Sequence, residues 1–291
     1  MNATEMTLSD NVHYETLRVT RDAHVVTITI NNPPVNTLSA FVMRELHHLL
    51  TGLRGDATAK VIVFDSANPE YFIAHVDMHL ADQMDILGQL AGQAPEGVNV
   101  FQAVGELLRH QPQVTIVKLA GIARGGGAEF VAAADMTFAA RGQARLGQIE
   151  VLMGIIPSGG GTQYLIERVG RNRALELVLS GDAVDADTAA EYGWINRALP
   201  AEELDAFVEQ LAHNIGDLPD GVAAAAKRIL APANLVEGYQ REEAEWSNLI
   251  GQAAAGQLMG GSLQQGAQTP DGERDLETLL RRINRAGREQ N

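Results

Sequence analysis

The 291-residue chain contains no cysteine. That removes disulfides, thiolate nucleophiles and cysteine-ligated zinc from consideration. No apolar run approaches the ~18 residues that a membrane-spanning helix needs. Basic residues are outnumbered, with 22 Lys and Arg against 37 Asp and Glu, for a net charge of −15. Non-specific affinity for nucleic acid or an anionic membrane is therefore not expected. An anionic ligand would need locally placed donors. The opening "MNATEMTLSD" lacks an apolar h-region, so no signal peptide is expected. With the missing cysteines, this points to a reducing cytoplasm. Also missing are the phosphate loop G-x-x-x-x-G-K-[ST], the nucleophile elbow G-x-S-x-G, the zinc pattern H-E-x-x-H and any 20–50-residue repeat.

What remains is a chain with 45% hydrophobic and 20% charged residues, long enough for one large globular core. Residues 1–13 read as a loose tail, 14–200 as the core and 201–291 as a helical C-terminal region. "ETLRVTRD" and "HVVTITINN" predict a hairpin turning at "RDAH". Ser39 is placed to cap a helix over 40–54. "KVIVFDS", "VTIVKLAG" and "DMTFAA" predict buried strands at 60–66, 114–121 and 135–140. Between the first two, 74–113 is mostly helical in composition but broken by "GQAPEG", and reads as a mobile or variable insertion. Strands alternating with helices predict an α/β fold. From 162 the chain is mainly helical. "GQLMGGSLQQGAQTPDG" then reads as a linker or frayed segment. A last amphipathic helix shows Leu276, Leu279, Leu280 and Ile283 on one face.

Two glycine runs stand out, "IARGGGAEF" at 122–130 and "IIPSGGGTQ" at 155–163. Each is either a tight turn or a place where backbone approaches a ligand. The G-x-G-x-x-G dinucleotide pattern is not met. Between the two runs lie Glu129 and Glu150, both in apolar surroundings. A Glu on a helix is ordinarily solvated, but a carboxylate buried among apolar residues is costly unless paired. Two that share one site raise each other's pKa, which suits acid–base chemistry. His75 and His79 are four residues apart, but no third metal ligand is suggested. His47 and His48 read as the polar side of a helix.

From about 24 to 215 the chain resembles the crotonase, or enoyl-CoA hydratase/isomerase, superfamily. The resemblance is carried by "NNPPVNTLS", "KVIVFDS…YFIAHVDM", "VTIVKLAGIARGGGAEFVAAADMTFAA" and "LGQIEVLMGIIPSGGGTQYLIERVGRNRALELVLSG", followed by "DADTAAEYGWINRALPAEEL". It implies a spiral of βββα-type turns with a helical C-terminal region that forms trimers, often paired as hexamers. It implies an acyl-CoA substrate, with coenzyme A part of that substrate and no separate cofactor. Two backbone N–H groups, here those of Val76 and Gly126, would form an oxyanion hole for the thioester oxygen. Glu129 would polarise a water and Glu150 would protonate Cα, giving hydration of a 2-enoyl-CoA. A Δ3-to-Δ2 isomerase and a catalytically weak acyl-CoA-binding protein are the alternatives. The CoA chain would cross 73–79 and 121–126, touching Ile73, Ala74, His75, Asp77, His79 and Gly125. His79 would sit near the CoA phosphates, where relatives often carry lysine, and Met84, Ile86, Leu87 and Leu90 would shape the acyl pocket. Three departures from the family pattern are visible. His75 replaces a glycine between Ala74 and Val76, Ser158 follows Pro157 where glycine is common, and the tail after about 255 does not match.

Overall fold

The computed structural model describes residues 4–5 and 13–289. The rest of the expected N-terminal tail lies outside the described residues. A seven-stranded sheet contains, in spatial order, β1 (Thr4–Glu5), β2 (Leu17–Asp22), β3 (Val25–Ile30), β4 (Val61–Ser66), β6 (Val114–Leu119), β8 (Met136–Ala140) and β11 (Arg197–Leu199). A four-stranded sheet contains β10 (Ala183–Asp185), β9 (Arg145–Gly147), β7 (Ile122–Arg124) and β5 (Tyr71–Ile73). β2 and β3 pair antiparallel, as the hairpin pattern predicts; β1, within the stretch read as a loose tail, pairs antiparallel with β2, and β3 onward run parallel.

The order of travel explains the architecture. The chain passes from β4 in the large sheet to β5 in the small one and then into helices. It repeats this through β6, β7 and the helix Gly126–Ala133, and again through β8, β9 and the segments after them. Each turn supplies one strand to each sheet and one helical layer, which gives a spiral. Apolar runs form its inner strands because both faces are covered: in β4, Val61, Ile62, Val63 and Phe64 are all buried. Ser39 caps the helix Ala40–Leu53, accepting from the Val42 N–H at 3.3 Å.

Two sequence expectations are corrected. The 74–113 stretch is part of the body of the protein. Its helix Val100–Arg109 opens on a reciprocal capping box between Asn99 and Gln102 and buries Val104, Leu107 and Leu108 in the main core. The supposed linker after 255 is the helix Ala253–Gln264 followed by a short Thr269-capped turn, Pro270–Glu273. Its glycines and serine read as linker composition, yet Gly261 and Ser262 sit where helices meet. A Cβ on Gly261 would lie 3.3 Å from the Ile283 side chain, and Ser262 is fully buried. Tertiary packing thus overrides a weak local preference. Ala255, Ala267, Leu276, Leu279 and Leu280 form a small core with Ile149, Leu152, Met153 and Ile155. The C-terminal helices therefore pack on the short 3-10 helix Glu150–Met153.

Replacing Leu280, 1% exposed, by alanine should lower the unfolding free energy by about 2–5 kcal/mol. Denaturant titration reads this directly. A change below about 0.5 kcal/mol, as for an exposed site, would contradict a docked C-terminal region.

Candidate active site

The first glycine run lies where three segments converge. Gly125 has φ +49°, a left-handed backbone for which glycine is suited. A Cβ there would also stand 2.8 Å from Glu150 Oε1. On Gly126 it would stand 2.5 Å from Val76 Cγ2 and 3.8 Å from Glu129 Oε2, and on Gly127 only 2.2 Å from the Ile73 carbonyl. Removing three side chains lets the helix Gly126–Ala133 start against the 73–76 backbone with both carboxylates alongside. All eight residues of that helix are buried, and Glu129 is its one charged member.

The peptide groups at this junction are held from behind. The Val76 N–H shares its peptide unit with the His75 carbonyl, which accepts from the Leu38 N–H at 2.8 Å. The Asp77 N–H donates back to the Leu38 carbonyl at 3.1 Å, a bridge between strand-like residues 38 and 76. Likewise the Gly126 N–H shares its unit with the Gly125 carbonyl, which accepts from the Glu129 N–H at 2.9 Å. A peptide whose carbonyl is engaged is a better-oriented and more polarised donor. Among the described residues, neither the Val76 nor the Gly126 N–H has an acceptor. For Gly126 this follows from its place at the first position of a helix, where N–H groups lack an intrahelical partner.

Glu129 and Glu150 are 5% and 7% exposed. The second glycine run serves Glu129: the N–H groups of Gly159 and Gly161 both donate to its Oε1, at 2.8 and 2.9 Å. Oε2 is left facing the Gly126 junction. A third buried carboxylate, Glu242, holds the intervening turn from the other side. It accepts from the N–H of Gly160 at 2.7 Å, from Thr162 through both its N–H and its hydroxyl, and from Gln102 Nε2 at 3.2 Å. Gln148, fully buried, lies with its amide nitrogen 3.1 and 3.3 Å from the two Glu150 oxygens when oriented to donate.

Electrostatics follow from this crowding. Burial is the main force raising Glu129 well above the ordinary carboxylate range, with Glu150 and then Glu242 adding repulsion against the two glycine N–H bonds. Burial also raises Glu150, to about 7, against the pull of its own backbone N–H. Glu242 pushes it further up, and the His75 cation pulls it down. Burial raises Glu242 as well, opposed by its Thr162, Gln102 and Gly160 bonds. The set therefore retains a proton near neutrality.

His75, expected in the segment that the CoA chain crosses, turns its ring into the protein. The ring is 2% exposed and engaged on both sides, with Nδ1 2.7 Å from the Val76 carbonyl and Nε2 2.9 Å from Glu273 Oε1. Both neighbours are acceptors, so both ring nitrogens donate and the ring is an imidazolium. Burial opposes that charge, but the attraction and hydrogen bond of Glu273 outweigh it and hold the pKa above the usual histidine value. Ile73 and Ala74 are fully buried and offer only backbone. Asp77 is tied to the His79 N–H, Gln83 and Gln268. The His79 side chain is 54% exposed beside Asp77. Ser158 is half-buried, its carbonyl accepting from Asn99 Nδ2 at 2.9 Å. Among the described residues, no group of three or more His, Asp or Glu is arranged to hold a metal.

The expected acyl-pocket residues go elsewhere. Leu87 and Leu90 are buried in the main core, and Met84 is 62% exposed. Ile86 and Leu90 line a groove of about 610 Å³ against the helix Ala40–Leu53, together with His47 and His48, and none of Val76, Gly126, Glu129 or Glu150 borders it. Sequence reading also missed Gln148, Glu242 and Arg124. Arg124 carried a usable signal, a lone charge in the apolar run "LAGIARGGG". Glu242 follows Tyr239 by three positions on the buried face of its helix, a spacing hidden by the acidic text around it.

The sequence model of the enoyl-CoA hydratase/isomerase family matches residues 20–253. A Mycobacterium bovis protein named "Probable enoyl-CoA hydratase echA8" is 32% identical over 234 residues, 78% of this chain and 88% of its own. The short-chain-enoyl-CoA hydratase of Clostridium acetobutylicum is 30% identical across 67% of this chain and 73% of its own. Among solved structures, a Streptomyces avermitilis protein provisionally assigned as an enoyl-CoA hydratase superposes with a TM-score of 0.93. Its sequence identity is 62%, over 94% of this chain and all of that one. Fold, glycine runs and sequence together make the chain a member of the enoyl-CoA hydratase/isomerase, or crotonase, family.

Proposed function

We propose that the protein adds water across the double bond of a 2-enoyl-CoA thioester. The observation that carries this reading is the junction at Gly125–Gly126, where two unengaged backbone N–H groups and two buried glutamates meet. Glu129, anchored through Oε1, uses Oε2 to draw a proton from water as the water oxygen bonds to Cβ. The π electrons move through Cα to the thioester oxygen, forming an enolate. The Val76 and Gly126 N–H groups bind that oxygen. Losing one such donor in the acyl-transfer hole of an unrelated enzyme costs about 3–4 kcal/mol, so two correctly placed donors would supply a large part of the barrier reduction. Glu150 then delivers its proton to Cα, the carbonyl reforms, and the proton from water stays with the glutamate pair. No redox or metal step enters this scheme.

A pair of buried acids favours hydration over double-bond migration, since moving a double bond needs a single acid–base group. Coenzyme A belongs to the substrate in this reading, with His79 nearest the phosphates and the cytoplasm as its setting. Ile229 and Leu230, 87% and 81% exposed, are apolar surface that a trimer contact would cover.

Mixing the protein with a 2-enoyl-CoA should remove the ultraviolet absorbance of the conjugated thioester. Glu129→Gln and Glu150→Gln should each reduce kcat by about 10²- to 10⁴-fold. Hydration by both variants at the parent rate would refute the assignment, and a mild Glu129→Gln with turnover of 3-enoyl-CoA would identify an isomerase instead.

The pH dependence has a definite sign. A Glu150 carboxyl that donates a proton must be protonated beforehand, and Glu129, whose pKa is also raised, must be ionised to accept one, so kcat/KM should pass through a maximum, with a falling limb as pH rises through about 7. Stability runs the same way. A folded-state pKa above the unfolded one gives a contribution that is present below the ordinary range and lost as pH rises through about 7. Glu242→Gln removes a negative neighbour of both acids, so the falling limb should move to lower pH. A limb that stays in place, or moves up, would contradict this electrostatic account.

A further inference from the structure

Each candidate oxyanion donor is preceded by a buried cation, His75 directly before Val76 and Arg124 two residues before Gly126. His75 is 2% exposed and Arg124 fully buried. Their counter-charges come from one short C-terminal stretch. Glu273 bonds His75 Nε2 with one oxygen at 2.9 Å and Arg124 Nη1 with the other at 3.2 Å, while its carbonyl accepts from Arg124 Nη2 at 3.0 Å. Glu277 accepts from Arg124 Nε at 2.8 Å and from Nη2 at 3.2 Å. Gln268 completes the grip. Its N–H donates to Glu273 Oε1 at 2.8 Å, its side-chain oxygen accepts from the Met78 N–H at 2.5 Å, and its side-chain nitrogen donates to Asp77 at 2.9 Å. Gln268 holds a left-handed backbone, φ +67°, which a non-glycine residue adopts only when its surroundings enforce it.

The cluster has two positive and two negative members, so it carries no net charge. Buried ion pairs of this kind are a weak source of stability, because apolar residues of equal volume do as well or better. What the cluster does supply is fixed geometry across two chain segments that the sheet bonds at only one end. The two unexplained departures from the family pattern, His75 and the unmatched tail, meet here as bonded partners.

We propose that Glu273 is a positioning residue for the oxyanion hole. One carboxylate, with one oxygen on His75 and the other on Arg124, ties the segment bearing the Val76 N–H to the segment bearing the Gly126 N–H and sets their separation. Returning Nδ1 to the Val76 carbonyl, His75 passes that constraint to the peptide beside the donor. The histidine that replaces glycine is thus the lever through which the C-terminal turn acts, and not an obstruction in the hole. This inference rests on the hydratase reading above.

Infrared difference spectra of the protein saturated with butyryl-CoA, carrying ¹³C at the thioester carbonyl, separate the two. Hydrogen bonds to that oxygen lower its stretching frequency, and the saturated acyl group does not turn over. The parent should lower the stretch relative to free thioester, and Glu129→Gln should keep that shift while losing turnover. Glu273→Gln should lose most of the shift and at least about tenfold in kcat with 2-enoyl-CoA, with KM changed by less than about threefold. That split is the mark of donors that act mainly in the transition state. His75→Gln, which leaves Arg124 paired with both glutamates, should behave alike and decides the matter if Glu273→Gln does not fold. Folded variants that keep the parent shift and parent kcat overturn the inference alone. A parent that binds the thioester without any shift overturns the hydratase reading and this inference with it.

Discussion

In the proposed reaction, a negative charge formed away from bulk water needs donors that have nothing else to bond, and the junction of residues 73–76 with 125–129 keeps two such N–H groups. Backbone N–H groups are normally consumed by sheets and helices. Two are kept unengaged by placing one at a strand-like bridge that uses its neighbours, Leu38 to His75 and Asp77 to Leu38, and the other at the first turn of a helix. The glycines at 125–127 let these segments close up, since a Cβ on them would meet Glu150, Val76 and the Ile73 carbonyl respectively. The wholly buried helix behind them has no polar face other than Glu129 because it sits between layers of the spiral.

The second constraint is that buried carboxylates must be hydrogen-bonded without a cation paired to them. Glu129 is met by two glycine N–H groups and Glu242 by a third, so the loop 159–161 is held between two acids by its own backbone. Amides fix position while leaving the acids crowded enough to keep a proton. The C-terminal helices extend the same logic. They pack apolar side chains under Glu150 and send Glu273 and Glu277 to the cations flanking the donors. The acidic balance of the chain, −15 overall, is thereby compatible with a local pair of buried positive charges.

The alternation of strands and helices was legible because the strands are short apolar runs and the caps and turns carry specific residues, such as Ser39 and the "RDAH" turn, whereas the spiral was implied only by the family resemblance. Glu129 and Glu150 were legible for a related reason: a charge amid apolar residues is conspicuous in text. The same rule applied to Arg124 would have found it. Glu242 and Glu273 were not legible, since each sits in a polar stretch and finds its Gly160 or His75 partner 80 or more residues away. The tail misled because glycine and glutamine suggest a linker, while close helix packing favours small side chains equally well. His75 could be seen as a departure from the family, but its partner lies 198 positions further on.

The central claim is that two main-chain amides and two glutamates act on one thioester group. A crystal structure with a bound acyl-CoA thioester tests it most directly. The account predicts the thioester oxygen about 2.7–3.1 Å from both the Val76 and Gly126 nitrogens, with the Glu129 and Glu150 carboxylates on the same side of the acyl Cα–Cβ bond. A thioester bound in another cleft, or an oxygen contacting neither amide, would contradict it.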